Sequence, residues 1–156
     1  MPTHEEFFLM AAEEAKKALC LRANCGAVVV LEGKVIGIGH NGPPHDDIAQ
    51  RKCEEDLLKS PKPRHDRTCC IHAEWRAIIE ALKKQGNISG GTLYFMRADE
   101  TGKPMKSGKP YCTICSRLAL EAGLKYFGLW HEAGIKLYDT KEYNELSYAF
   151  HKQDAQ

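Results

Sequence analysis

Helices packed around a central mixed β-sheet are the fold class that this sequence predicts, and three observations predict it. Short β-branched runs alternate with stretches of helical apolar period. The first two runs form a hairpin. The 156 residues suffice for one core of ordinary size, so residues 1–156 are expected to form a single domain.

Taken in order, Thr3 and Glu6 have capping-box spacing, and Phe8, Ala11, Ala12, Ala15, Ala18 and Leu19 follow at helical intervals, which predicts a helix over 3–20. "GAVVVL" at 26–31 and "KVIGIG" at 34–39 flank Glu32-Gly33, an antiparallel hairpin. Residues 40–69 hold four prolines and many charges, a long irregular connection with at most a short helix around 47–59. The second helix is expected from Ile71 to Gln85, with Gly86 past its end. "GTLYFMRA" at 91–98 reads as a third strand, followed by a polar loop and a third helix opening at Tyr111 or Cys112 and ending near Ala122. "LKYFGLW" is a fourth strand, and Asp139 with Glu142 caps a last helix. "GIKLYD" between them is expected to be a short fifth strand or none.

Lys and Arg total 22 against 21 Asp and Glu, a net charge of +1, so the basic excess usual in nucleic-acid binders is missing. No run of eighteen apolar residues exists, and "MPTHEEFF" lacks the pattern of a secretory signal. A soluble, cytoplasmic protein without membrane partners is expected. Seven cysteines, an odd number, fit reduced thiols and metal ligation better than disulfides.

"TCCIHAEWRAIIEAL" begins a helix with His72 and Glu74, two polar residues. Residues two apart on a helix point about 200° away from each other, so they cannot share a flank. At the first turn both can reach a target lying ahead of the helix end. "PYCTIC" repeats the arrangement, because Cys112 and Cys115 are three apart on one opening turn. One imidazole and two thiolates suit Zn2+, which in catalytic sites keeps a fourth position for water. Helix N-termini aimed at the ion would help keep the thiols deprotonated, and Glu74 would move protons beside it.

"HAE" at 72–74 with "CTIC" at 112–115 resembles the cytidine deaminase superfamily of zinc-dependent nucleobase deaminases. "NCGAVVV" at 24–30 looks like the family's first strand, and "GHNGPP" at 39–44 is similar to a loop of deoxycytidylate deaminases. The resemblance implies a three-layer α-β-α cytidine-deaminase-like fold with a sheet of four to five strands. It also implies that His72, Cys112 and Cys115 hold zinc, that Glu74 is catalytic, and that Asn41 and the backbone near Ala27 and Ala73 meet the substrate. The expected reaction is hydrolytic release of ammonia from a cytosine-type nucleobase, nucleoside or nucleotide, in a homo-oligomer.

Tyr111 stands between Pro110 and Cys112, where relatives have proline directly before the cysteine, and Arg76 stands where asparagine is common. The loop at 97–110 is longer than usual. These departures leave open a guanine or adenine substrate, a base within nucleic acid, and a non-catalytic zinc domain. Cys53, His65, Cys69 and Cys70, with His45, are candidates for a second metal site, whereas Cys20 and Cys25 read as small core residues. Arg22, Arg51, Lys52, Arg64 and Arg67 are candidates for phosphate contacts, and Trp75, Trp130 and His131 for stacking on a base.

Overall fold

The computed structural model describes residues 1–53, 58, 59, 61, 68–106 and 109–154. Its first helix, α1 (His4–Ala15), carries the expected capping box: Thr3 Oγ1 accepts from Glu6 N–H, and Glu6 returns the bond to Thr3 N–H. It ends at Ala15, five residues before the predicted limit, because the backbone turns through Lys16 and Lys17 toward the first strand. Phe7, Phe8, Ala11 and Ala12 are its buried face.

Strands β1 (Asn24–Leu31) and β2 (Lys34–His40) form the predicted antiparallel hairpin around Glu32-Gly33. The connection that follows makes two single 3-10 turns, Pro44–Asp46 and Ile48–Gln50, in place of the start of the helix expected around 47–59. Much of the remainder of that expected helix lies outside the described residues.

Helix α2 (Ala73–Gln85) starts two residues later than predicted, with His72 at its N-cap. Strand β3 (Thr92–Ala98) pairs antiparallel with β1. A short strand β4 (Pro104–Met105) returns antiparallel onto Arg97 and Ala98, so part of the long loop at 97–110 is sheet. Helix α3 (Thr113–Glu121) leads to β5 (Tyr126–His131), which runs parallel to β3. "GIKLYD" then forms all of β6 (Gly134–Asp139), paired antiparallel along the whole of β5, contrary to the short or missing strand expected. Helix α4 (Thr140–Asp154) closes the chain, with Asp139 Oδ1 accepting from Lys141 N–H at its start.

The sheet order is β2-β1-β3-β5-β6, with β4 added beside β3, a mixed sheet of five strands and a short sixth. Alternation splits the core into two layers. Val28, Val30, Tyr94 and Met96 meet α1, while Ala27, Val29, Leu93, Phe127 and Leu129 meet α2, α3 and α4. Fully burying each large apolar side chain contributes roughly 1.5–3 kcal/mol. Gly39 lets α2 lie close on β2, since a Cβ there would stand 2.4 Å from the Ala73 carbonyl oxygen. That contact seats the first turn of α2 at the end of β2. No helix among the described residues is long and apolar enough to cross a membrane.

Candidate active site

The N-termini of α2 and α3 converge at the same end of the sheet, because both helices follow strands that finish there. Each helix begins with a functional side chain at its N-cap: His72 for α2 and Cys112 for α3. An N-cap is ordinarily an oxygen-bearing residue that satisfies the first free N–H groups. His72 makes no such bond, whereas Cys112 Sγ accepts from Cys115 N–H at 3.3 Å. The imidazole turns outward instead, with Nδ1 at 3.2 Å from Cys115 Sγ and 3.5 Å from Cys112 Sγ. Among the described residues these three form the only group of histidine, cysteine or acidic side chains whose ligand atoms all lie within 4.8 Å of one another.

Their chemistry and spacing fit zinc. Tetrahedral bonds of about 2.0–2.1 Å to nitrogen and 2.3 Å to sulfur separate the two ligand atoms by about 3.6 Å, close to what the side chains already adopt. Hydrogen bonding from Cys115 lowers the Cys112 thiol to about 4 against the opposing effect of burial, with His72 adding to the lowering. Burial pushes Cys115 far up. A divalent cation held by both sulfurs must displace any proton left on them.

Glu74, the second residue of α2 and 6% exposed, lies beside this group and accepts a hydrogen bond from Cys115. Burial pushes its carboxyl up, while His72 opposes the shift. Burial of this kind favours the protonated form, which suits a carboxyl that must both take and give a proton.

His72 and Glu74 open onto a cavity of about 760 Å3. Asn41 and Ala73 line it; Ala27 is buried in the core, and Cys25, two residues earlier on the same strand face, lies on the wall. Asn41 is fixed by its own amide: Oδ1 accepts from Cys25 N–H at 2.8 Å, and Nδ2 donates to Ala23 O at 2.7 Å. Of the basic residues singled out in the sequence, Arg22 and Lys52 reach the cavity. Arg51 instead extends toward Leu19 O, and Arg64 and Arg67 lie outside the described residues.

Several wall residues were missed. Phe95 and Arg97 sit on the same face of β3 as Leu93, a period-two signal available in the sequence. Lys109, Tyr143 and Phe150 join them from the loop before α3 and from α4, with the Phe150 ring edge-on to Tyr111 at 5.1 Å. Tyr143 Oη accepts from the Tyr111 N–H, which gives the residue inserted before Cys112 a fixed seat.

Trp75 does not wall the cavity; it stacks on His72. Trp130 packs on the opposite side of the sheet near Phe8, under Lys106 Nζ, and His131 bonds the Tyr138 hydroxyl. Cys20 and Cys25 are half-buried on the cavity wall, and Cys25 also packs against the core. Cys53 Sγ lies 3.9 Å from Cys69 Sγ, and Cys20 is hydrogen-bonded to Cys70, whereas His45 is exposed and His65 lies outside the described residues.

The family model for the cytidine and deoxycytidylate deaminase zinc-binding region matches residues 1–128. The deoxycytidylate deaminase of Mycobacterium phage D29 is 28% identical over 131 residues, 80% of this chain and 91% of the relative. The human deoxycytidylate deaminase is 28% identical over 126 residues, 78% of this chain and 60% of the relative. The crystal structure of dCMP deaminase from the cyanophage S-TIM5 in complex with dCMP and dUMP superposes with a TM-score of 0.58 at 24% identity, covering 79% of this chain and 76% of that one, a likeness of fold.

Proposed function

The chain belongs to the cytidine and deoxycytidylate deaminase family of hydrolytic deaminases, and from that membership we propose that it converts deoxycytidine 5′-phosphate to deoxyuridine 5′-phosphate and ammonia. One observation favours a nucleotide over a nucleoside or free base. Arg22, Lys52, Arg97 and Lys109 line the cavity from four separate segments, while Glu74 is the only acidic residue among its described lining residues. In a chain of net charge +1 this is a local concentration of positive charge, suited to a phosphate. Phe95, Leu129, Tyr143 and Phe150 offer apolar and aromatic surface for a base.

His72 Nδ1 and the Cys112 and Cys115 sulfurs would hold zinc. Bound there, zinc supplies the Lewis acidity that activates water for attack at C4 of the base. Glu74 takes one proton from the attacking water and delivers it to N3, then takes the second from the hydroxyl now on C4 and delivers it to the amine, which leaves as ammonia while the C4 carbonyl forms. Asn41, tied to the backbone of Ala23 and Cys25, orients the sugar at the cavity wall. The α2 and α3 N-termini favour the thiolate form of Cys112 and Cys115.

The test is ammonia release from deoxycytidine 5′-phosphate, cytidine 5′-phosphate, deoxycytidine, cytidine, cytosine, adenine and guanine by zinc-loaded protein. Turnover of the deoxynucleotide with the highest kcat/KM is expected, weakened by charge removal at Arg97 or Lys109. Equal turnover of nucleotide and nucleoside would overturn the phosphate assignment, and no turnover of any of them would overturn the small-molecule reading.

A further inference from the structure

Arg76 occupies the position at which an asparagine was expected from the resemblance, yet it is not among the residues that line the cavity. Its guanidinium points to the other side of α2. One nitrogen, Nη1, donates to Asp46 Oδ1 at 2.6 Å; the other, Nη2, donates to Pro43 O at 2.8 Å and approaches Gly42 O at 3.5 Å. Asp46 Oδ2 is 2.6 Å from His40 Nε2, and His40 Nδ1 is 2.8 Å from Glu14 Oε1, which in turn pairs with Lys17. A continuous polar chain therefore runs from α2 through the loop after β2 to α1.

The segment it grips begins with Asn41 and is bridged to Ile71 at the next residue, Gly42. Gly42 N–H donates to Ile71 O at 3.2 Å, and Ile71 N–H donates to Gly42 O at 2.7 Å, closing the base of the long connection beside His72. Leu19 N–H donates to Asn41 O, so the same segment is tied to the chain after α1. A Cβ at Gly42 would stand 2.7 Å from Asp46 Oδ1, so any larger residue there must displace that carboxylate. The fork geometry of a guanidinium meets a carboxylate and a carbonyl at once, which a lysine ammonium on a single stem does not reproduce.

We propose that Arg76 is a positioning residue: by fixing residues 42–46 against α2 it holds Asn41 at the substrate and Ile71 beside the metal-binding histidine. The assignment rests on the deaminase reading for its effect on turnover, but not for its effect on the loop. Nothing in Arg76 itself touches the cavity.

The test compares wild type, Arg76→Met, Arg76→Lys and Asp46→Asn, all zinc-loaded. In Arg76→Met, KM for deoxycytidine 5′-phosphate should rise about tenfold with kcat and zinc content little changed, since binding through Asn41 is weakened while the reacting groups stay. Arg76→Lys should recover part of the loss through Asp46, and Asp46→Asn should approach Arg76→Met. Amide hydrogen exchange should quicken at Gly42 and Ile71 while α1 and β5 keep their protection. Unchanged exchange at those two amides, or a loss of protection spread over the whole protein, would overturn the assignment. If wild type deaminates no nucleotide, the functional reading fails, and exchange at Gly42 and Ile71 alone decides whether Arg76 positions the loop.

Discussion

The indole of Trp75 lies flat on the imidazole of His72, ring centroids 4.0 Å apart and planes 4° from parallel. The two residues are three apart, one turn of α2, so the stack is a local consequence of helix geometry. It holds the ring with Nδ1 toward the two sulfurs, in place of the side-chain cap that His72 does not make. Removing the indole frees the ring. Trp75→Leu should weaken zinc binding about tenfold, the scale of loss when a group that orients a metal ligand is deleted, while Trp75→Phe should retain most of the affinity. Titration of apoprotein against a competing chelator checks this.

Glu74→Gln preserves the shape of the side chain and removes its ability to move a proton. Zinc content should stay at the wild-type level and kcat should fall by about 10²–10⁴-fold, the usual contribution of a general acid–base group. Metal analysis beside an ammonia assay separates the two. A non-catalytic zinc domain would show no change in either.

Glu14 and Asp46 give the protein a predictable acid limit. Burial by itself raises the Glu14 carboxyl, but hydrogen bonds from His40 and Lys17 outweigh it and hold the group below its ordinary value of 4.5. Burial likewise raises Asp46, and Arg76 and His40 outweigh it, holding the group below 3.8. A carboxylate whose folded value is depressed stabilises the fold above its unfolded value, and that stabilisation is lost as pH falls through the depressed one. The difference in Tm between wild type and Glu14→Gln should therefore be largest near neutrality and shrink below about pH 4.5. A constant difference from pH 7 to 3 would contradict the pairing.

The helix starts at His72 and Cys112 were legible because their chemistry lies within one turn of chain, where spacing alone decides which side chains share a direction. The first hairpin and its neighbours were legible for the same reason. Strand β4 was hidden by Pro104, which lacks an N–H but is tolerated because β4 flanks β3 only beyond the Thr92–Tyr94 stretch paired with β5. Strand β6 was undervalued because "GIKLYD" is short and lacks an Asn-Gly turn before it; its pairing along all of β5 supplies what local propensity does not. Tyr143 and Phe150 carried no local signal at all, since only the return of α4 brings them to the cavity. Arg76 was read as a change at the substrate, yet its partners Asp46 and Pro43 lie 30 and 33 residues away in sequence, beyond the reach of a local pattern.

Tyr143 offers a last test, of how the extra residue before Cys112 is accommodated. Its ring is buried and stacks on Phe127 at 3.8 Å, an arrangement that phenylalanine would keep. Its hydroxyl, however, is the acceptor for the Tyr111 N–H immediately before the first cysteine of "CTIC". Tyr143→Phe removes that acceptor, a loss of about 0.5–1.5 kcal/mol for one hydrogen bond. The cost should appear as a lower Tm, and because Cys112 follows directly, as weaker zinc retention during dialysis against chelator. Wild-type zinc retention in a variant with lowered Tm would mean that the hydroxyl supports α4 alone and that the Tyr111 insertion is held by the aromatic contact with Phe150 instead.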